Sequence, residues 1–383
     1  MAFTAFRGDY AKSTTQIMGR LAADQKVLYI DYQYTIKDVI DAMLGKRNLA
    51  WKRILGFQNR IEVLPTNVDT HISVLSLPPI LPINWINNHK VYKVALKLNS
   101  KIIGRTIRKH INKLGLKNAP VVNAYNPFYG LFTTQLYKGQ SITYYCYDEI
   151  SGSPWAQKHG TSIEKSFLTK VDKVIVSSSA LKESKGHYNS NIHLVENGVD
   201  FDMFHNEYRK SVLPENKKPI VGYIGSLDER IDYELLRYLA LNRPQYQFRF
   251  IGRVVFPELI KPIEGIENIE ILDPIPYNDL PKSLAQFDVG LIPFLKTKFT
   301  KNIYPLKINE YLSMAKSVVK TDFAYLPDFD ELVWTGNSPE EFVMHLDKAV
   351  KKPSEDVIQK RIDLASQNSW NQRVKKFKEI LEA

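Results

Sequence analysis

The chain is 383 residues long, with 44% hydrophobic and 24% charged residues, which excludes a disordered chain and predicts two hydrophobic cores rather than one. Its most apolar stretch, 73–85, is broken by Pro78, Pro79 and Pro82, so no transmembrane helix is expected; Cys146, the single cysteine, excludes an internal disulfide and a cysteine-based zinc site. A formal net charge of +11 calls for an anionic partner: nucleic acid, anionic lipid or a phosphorylated small molecule.

The opening MAFTAFRGDY lacks the apolar core of a signal peptide, which together with the cysteine usage predicts a cytoplasmic protein. A helical stretch at 13–23 precedes a buried-strand pattern at 27–32, and 61–65 and 71–78 read as further strands. Segment 90–117 then carries nine Lys or Arg and no acid. Lys93, Lys97, Lys101, Arg105 and Lys109 recur every four residues, with Val94, Leu98, Ile102, Ile103 and Ile107 alongside, so a basic amphipathic helix is expected. Such a surface suits an anionic membrane leaflet; a solvated helix that packs its apolar stripe on the domain gives the same pattern.

Strand patterns continue at 119–127, 142–149, 173–181 and 191–200, and strands separated by helical segments imply a parallel sheet with crossovers. The polar stretch 205–218 reads as a linker. The rhythm then restarts at 219–227, runs through a helix near 232–241 and returns as strands at 246–253, 269–276, 288–294 and 317–322. Trp370, Val374, Phe377, Ile380 and Leu381 recur at helical spacing in 366–383. The expected architecture is α/β, with two doubly wound Rossmann-like domains over 1–204 and 205–365.

One stretch, 302–321 (NIYPLKINEYLSMAKSVVKT), reads as a loop with Pro305, a helix, and a buried strand with Val318 and Val319. Lys307 and Glu310 fall in the first turn of that helix, where backbone N–H groups lack intrahelical partners and the dipole favours an anion. An ordinary solvated helix start has the same spacing. The whole string, N-x-x-P-L-K-x-x-E-Y-L-x-M-x-K-x-V-V, resembles the nucleotide-sugar site of the GT-B glycosyltransferases, in particular glycosyltransferase family 4 and its capsular and teichuronic-acid branch. The resemblance implies two Rossmann-like domains facing across a cleft and a terminal helix, 366–383, that crosses back to the first domain. It implies that Glu310 binds the ribose hydroxyls, and that Asn302, Leu306 and Lys307 line the diphosphate and the sugar. Many members carry a glutamate at the position of Asn302; an amide still hydrogen-bonds a hydroxyl but carries no charge.

The resemblance extends outwards from this stretch. VENGVDFDMF (195–204) is similar to the family's connector, with Gly198 permitting a turn, and VGYIGSL (221–227) to the first strand of the nucleotide domain, with Gly225 letting backbone approach a phosphate. Ser226 and Ile231 stand where many members place an arginine and a lysine on the diphosphate. Arg230, one position short of the second, is therefore expected to supply charge with Lys307 and Arg253, against the alternative of an ion pair with Asp228 or Asp232. IGR (251–253) resembles the family's second glycine turn. The likeness of 272–294 to the loop around the base places Ile275 and Tyr277 beside the base, with plain packing of Tyr277 as the alternative.

Asp148 and Glu149 follow YYCY (144–147), at a carboxyl end where doubly wound folds place ligands. Asp148 resembles an aspartate of the capsular branch. An inverting transfer would need it as a base for the acceptor hydroxyl, a retaining one would use it to orient acceptor or donor, and a helix-capping role accounts for it equally. Arg7 and Gly8 stand where members face the donor phosphates. The implied activity is transfer of a sugar from a UDP- or GDP-linked donor to a surface-polysaccharide or lipid-linked saccharide. It is of hexosyltransferase type with no metal and no other cofactor, since the Asp-x-Asp string at 328–330 falls in a loop after the strand at 317–322. The enzyme would be peripheral on the inner face of the plasma membrane through 90–117. An inactive GT-B scaffold in a polysaccharide assembly complex is the alternative. A basic nucleic-acid-binding protein is a weaker one, since no zinc pattern, RNA-recognition aromatic motif or recognition helix stands in the chain, so no nucleic-acid partner is expected.

Overall fold

The computed structural model describes residues 5–7, 13–137, 139–152, 156, 158–210 and 218–383. The chain divides into two units, Met1–Glu196 with Val374–Ala383 and Asn197–Arg373.

The first unit contains β1 (Leu28–Ile30), β2 (Ile61–Pro65), β3 (His71–Leu75), β4 (Val121–Ala124), β5 (Ile142–Cys146), β6 (Lys173–Val176) and β7 (Ile192–Leu194). β4 to β7 pair in sequence order, all parallel. Every residue of β5 is buried, which is why ITYYC reads as a continuous apolar run rather than an alternating one. β1 pairs parallel with β3, but β2 and β3 are antiparallel, a departure from the all-parallel expectation. The link between them explains it: Thr66 N donates to Thr70 O at 2.8 Å, and so short a connection reverses the chain where a parallel crossover needs a dozen residues or more.

The basic segment forms one helix, His89–Leu114, started by Asn88 Oδ1, which accepts from the Lys90 and Val91 amides, and ended by Gly115 at φ +70°. It buries Tyr92, Leu96, Ile103 and Ile107. Val94 and Leu98, expected in the apolar stripe, are exposed instead, because the packed face runs through Tyr92, Leu96 and Asn99. At the other end of the chain the helix Trp370–Glu382 packs its last turns on the first unit: Phe377 meets Tyr145 edge-on at 5.4 Å and Lys173 Nζ donates to Ile380 O at 2.8 Å.

The second unit holds β8 (Ile220–Ile224), β9 (Gln247–Ile251), β10 (Ile269–Leu272), β11 (Val289–Ile292), β12 (Ser317–Thr321) and β13 (Trp334–Gly336). They form one parallel sheet in the order β10-β9-β8-β11-β12-β13. The order reverses between β8 and β11, and in open α/β sheets the carboxyl ends at that reversal are where ligands bind. Two expectations change here. Residues 205–210, read as linker, are the end of the helix Phe201–Lys210: Phe204 is fully buried, and that packing holds the turns after it. The remainder, 211–217, lies outside the described residues. Gly198 makes no turn; a Cβ there would sit 2.8 Å from Trp370 N, so the glycine serves the close approach in which Val199 N donates to Asn368 O and Trp370 N to Val199 O.

Candidate functional site

The turns after β8 and β9 are built on Gly225 and Gly252, at φ +145° and +155°, where a side chain is strained. A Cβ on Gly252 would lie 2.1 Å from the Gly225 carbonyl oxygen, and one on Gly225 would lie 2.7 Å from Lys307 Nζ. The two absent side chains thus let one turn rest on the other and leave room for the Lys307 ammonium. That ammonium stands 5.0 Å from the Tyr223 ring centre and 5.8 Å from that of Phe294, whose ring also carries the Arg230 guanidinium at 5.5 Å. Two cations therefore share one aromatic wall.

Lys307 opens the helix Leu306–Ser313, which has Pro305 at its N-cap and no side-chain cap. Ile308 N already bonds to Pro305 O, so the Leu306 and Lys307 amides are the ones left for an outside acceptor. Glu310, one turn further, is buried at 8% exposure. Among the described residues neither the Lys307 ammonium nor the Glu310 carboxylate has a hydrogen-bonding partner. Burial, aided by Arg230, brings the Lys307 pKa down to about 8; burial also pushes Glu310 up to about 7, with Lys307 pulling the other way. Both groups are held part-way towards neutrality.

The other expected residues fall into place with different roles. Arg230 forms a two-pronged pair with Asp228, Nε to Oδ1 at 2.8 Å, the ion pair weighed above, and keeps 26% of its side chain exposed. Ser226 offers its carbonyl to Tyr223 OH at 3.1 Å. Arg253 is exposed, and its carbonyl takes the Leu227 amide at 2.9 Å, which keeps it beside the two glycine turns. Asn302 is buried and its Nδ2 donates to Lys298 O at 2.8 Å, bracing the loop before Pro305. Ile275 and Tyr277 are partly buried on the core, and Tyr277 meets Phe204 edge-on at 6.1 Å, the packing alternative. Tyr223 and Phe294 escaped the sequence reading because nothing local shows which cation an aromatic will face.

In the first unit, Asp148 is half-buried after β5 and its Oδ1 accepts the Glu149 amide at 2.9 Å. The Glu149 carboxylate is buried, with both oxygens 3.0 Å from Lys185 Nζ and one accepting the Ser151 amide. Of the two, Asp148 is the one that keeps part of its surface exposed. Arg7 pairs with Glu62 at 2.7 Å; Gly8 lies outside the described residues. Among the described residues no three His, Cys, Asp or Glu side chains are grouped to hold a metal ion, and no helix is long and apolar enough to cross a membrane.

No family model matches the chain. A Bacillus subtilis (strain 168) protein named provisionally as a teichuronic acid biosynthesis glycosyltransferase, TuaH, is 24% identical over 62% of this chain and 66% of its own length. Among solved structures, sucrose-phosphate synthase of Thermosynechococcus elongatus superposes with a TM-score of 0.71 at 15% identity, over 100% of this chain and 97% of that one. Anabaena HepE in complex with UDP and glucose gives 0.61 at 14% identity, over 94% and 99%. An α,α-trehalose-phosphate synthase of Burkholderia xenovorans gives 0.66 at 10% identity, over 98% and 96%. The fold is thus that of the GT-B glycosyltransferases, with two Rossmann-like units.

Proposed function

We propose that this chain is a glycosyltransferase that moves a hexose from a UDP- or GDP-linked donor to a surface-polysaccharide or lipid-linked saccharide. The observation that carries the proposal is the pair Lys307, half-buried, and Glu310, buried, neither with a hydrogen-bonding partner among the described residues, at an uncapped helix start beside the Gly225 turn. The name of the B. subtilis relative and the UDP and glucose bound by HepE support it.

The diphosphate would take the Leu306 and Lys307 amides and the Lys307 ammonium, which meet the negative charge that grows as the sugar leaves. Arg230, which shares the Phe294 ring with Lys307, would add charge, Arg253 would join it from the second glycine turn, and Glu310 would accept from the ribose hydroxyls. Fixed cations at the leaving group would do the work of a metal there. Asp148 would orient the acceptor or take its proton.

Melting of the purified protein against UDP, GDP, ADP and CMP, followed by a matching donor-sugar panel, tests this. A ligand at a hundred times its Kd stabilises by about 2.7 kcal/mol, so one nucleotide should raise the midpoint clearly. No shift with any of them would remove the donor site. Binding without turnover would select the inactive-scaffold reading, which the engaged amide at Asn302 and the serine at 226 favour.

The helix His89–Leu114 turns Lys97, Lys101, Arg105 and Arg108 outwards with Val91, Val94 and Leu98, and Trp85 is 75% exposed in the segment just before it. A basic surface with apolar side chains suits the inner leaflet of the plasma membrane, at about 1 kcal/mol per basic residue near it. The helix Ile36–Met43 adds exposed Ile36, Ile40 and Met43 in the same unit. Vesicles containing anionic lipid should retain the protein at low salt, and the triple change Lys97→Glu, Lys101→Glu, Arg105→Glu should weaken retention at least tenfold. Equal retention by neutral vesicles, or none by anionic ones, would end the membrane proposal.

A further inference from the structure

Behind Asp148 lies a set of buried charges that the proposed transfer does not use. Lys185, on the helix Ser179–Gly186, has its ammonium 3.0 Å from both Glu149 oxygens and 2.7 Å from Glu164 Oε2. Glu164, on the helix Gly160–Leu168, also accepts Tyr144 OH at 2.8 Å. Glu149, Glu164 and Lys185 are 6%, 2% and 5% exposed.

Stability alone does not explain such a cluster. Taking ions out of water costs more than packing apolar side chains of the same volume, and replacing a buried ion pair by such side chains is often neutral or stabilising. Its place in the fold offers another reason. It lies under the carboxyl ends of β5 and β6, and its members reach the loop that carries Asp148 from several sides. Glu149 is the next residue, and its amide holds Asp148 Oδ1 at 2.9 Å. The Cys146 thiol donates to the Asp148 carbonyl at 3.3 Å and faces Glu164 Oε1 at 3.6 Å. Ser177 Oγ, at the end of β6, donates to Tyr147 O at 2.9 Å. Fixing Glu149 therefore fixes Asp148.

We infer that Lys185 is a positioning residue, which with Glu149 and Glu164 locks the loop 147–152 so that the Asp148 carboxylate is set for the acceptor. The inference rests on the transferase role proposed for Asp148. Its test is a variant that removes all three charges together, Glu149→Gln, Glu164→Gln, Lys185→Met, so that no ion is left buried alone. Melting, nucleotide affinity and steady-state kinetics are then read side by side. The variant should melt near the wild type and bind nucleotide equally, because that site is in the other unit, while kcat falls at least tenfold with donor KM unchanged. Lys185→Arg, which keeps the charge and both carboxylate partners, should stay within about threefold of wild type.

If the triple variant melts early, Glu149→Gln alone gives the same reading, since it keeps the side-chain shape. Wild-type kcat in a folded variant overturns the positioning role and leaves the transferase reading intact. Wild-type protein that binds no nucleotide overturns both.

Discussion

Glu310→Gln should raise the melting temperature of the unliganded protein at pH 8 and abolish the further rise that nucleotide produces. The folded-state pKa of Glu310 is lifted from 4.5 to about 7. Between those values the folded chain holds a proton that the unfolded chain has released. Stability from this group is therefore fully present below pH 4.5, and it is lost as pH climbs to 7. Above that, the buried carboxylate weighs against folding by about 3.5 kcal/mol at most, at roughly 1.4 kcal/mol per pKa unit. Glutamine removes the charge and keeps the shape, and each kcal/mol recovered is worth roughly 2–4 °C in a domain of this size. The gain should be present at pH 8 and absent at pH 4. Calorimetry of both proteins at the two pH values, with and without the nucleotide that wild type binds, checks it. A variant less stable than wild type at pH 8 would mean that the carboxylate already has a partner in solution, and that it is not waiting for a ligand.

Gly252→Ala should be the most damaging single methyl in the second unit. The added carbon would lie 2.1 Å from the Gly225 carbonyl oxygen at φ +155°, and what it meets is backbone. Neither atom can yield without pulling apart the ends of β8 and β9. A strained backbone conformation alone is worth about 1–3 kcal/mol, and the overlap adds to it, so little soluble protein is expected. Gly225→Ala differs in kind, since its nearest neighbours, at 2.6 and 2.7 Å, are the tip of the Lys307 side chain. That tip can swing away, so this variant should fold, less stably than wild type, and lose nucleotide affinity. Soluble yield, denaturant midpoint and nucleotide Kd separate the two. Wild-type stability in Gly252→Ala would contradict the close turn-on-turn contact.

The second unit was the more legible of the two because parallel strands buried on both faces appear as unbroken apolar runs ended by glycine. β8 and β11 are such runs, buried throughout, and Gly225 and Gly252 close β8 and β9. Where partners lie far apart in sequence, local pattern gave no warning. Glu149 drew attention as the neighbour of Asp148, while the ammonium that occupies it belongs to Lys185, 36 positions on. Arg230 is the opposite case, its partner Asp228 being two residues away. The helical register of 90–117 was clear, but not its rotation. Which side is buried depends on Leu81, whose amide and carbonyl clasp Asn99, and neither residue marks that contact in the sequence.

The half-buried ammonium of Lys307 also makes the donor site a place where protons are exchanged. With its pKa near 8, a good part of the population is uncharged in mildly alkaline buffer. A diphosphate settling on the helix start favours the charged form. Association above pH 8 would then draw a proton from the buffer, and the measured heat of binding would change with the ionisation enthalpy of the buffer chosen. Affinity would decline as the solution becomes more basic, even though the nucleotide itself keeps its charge.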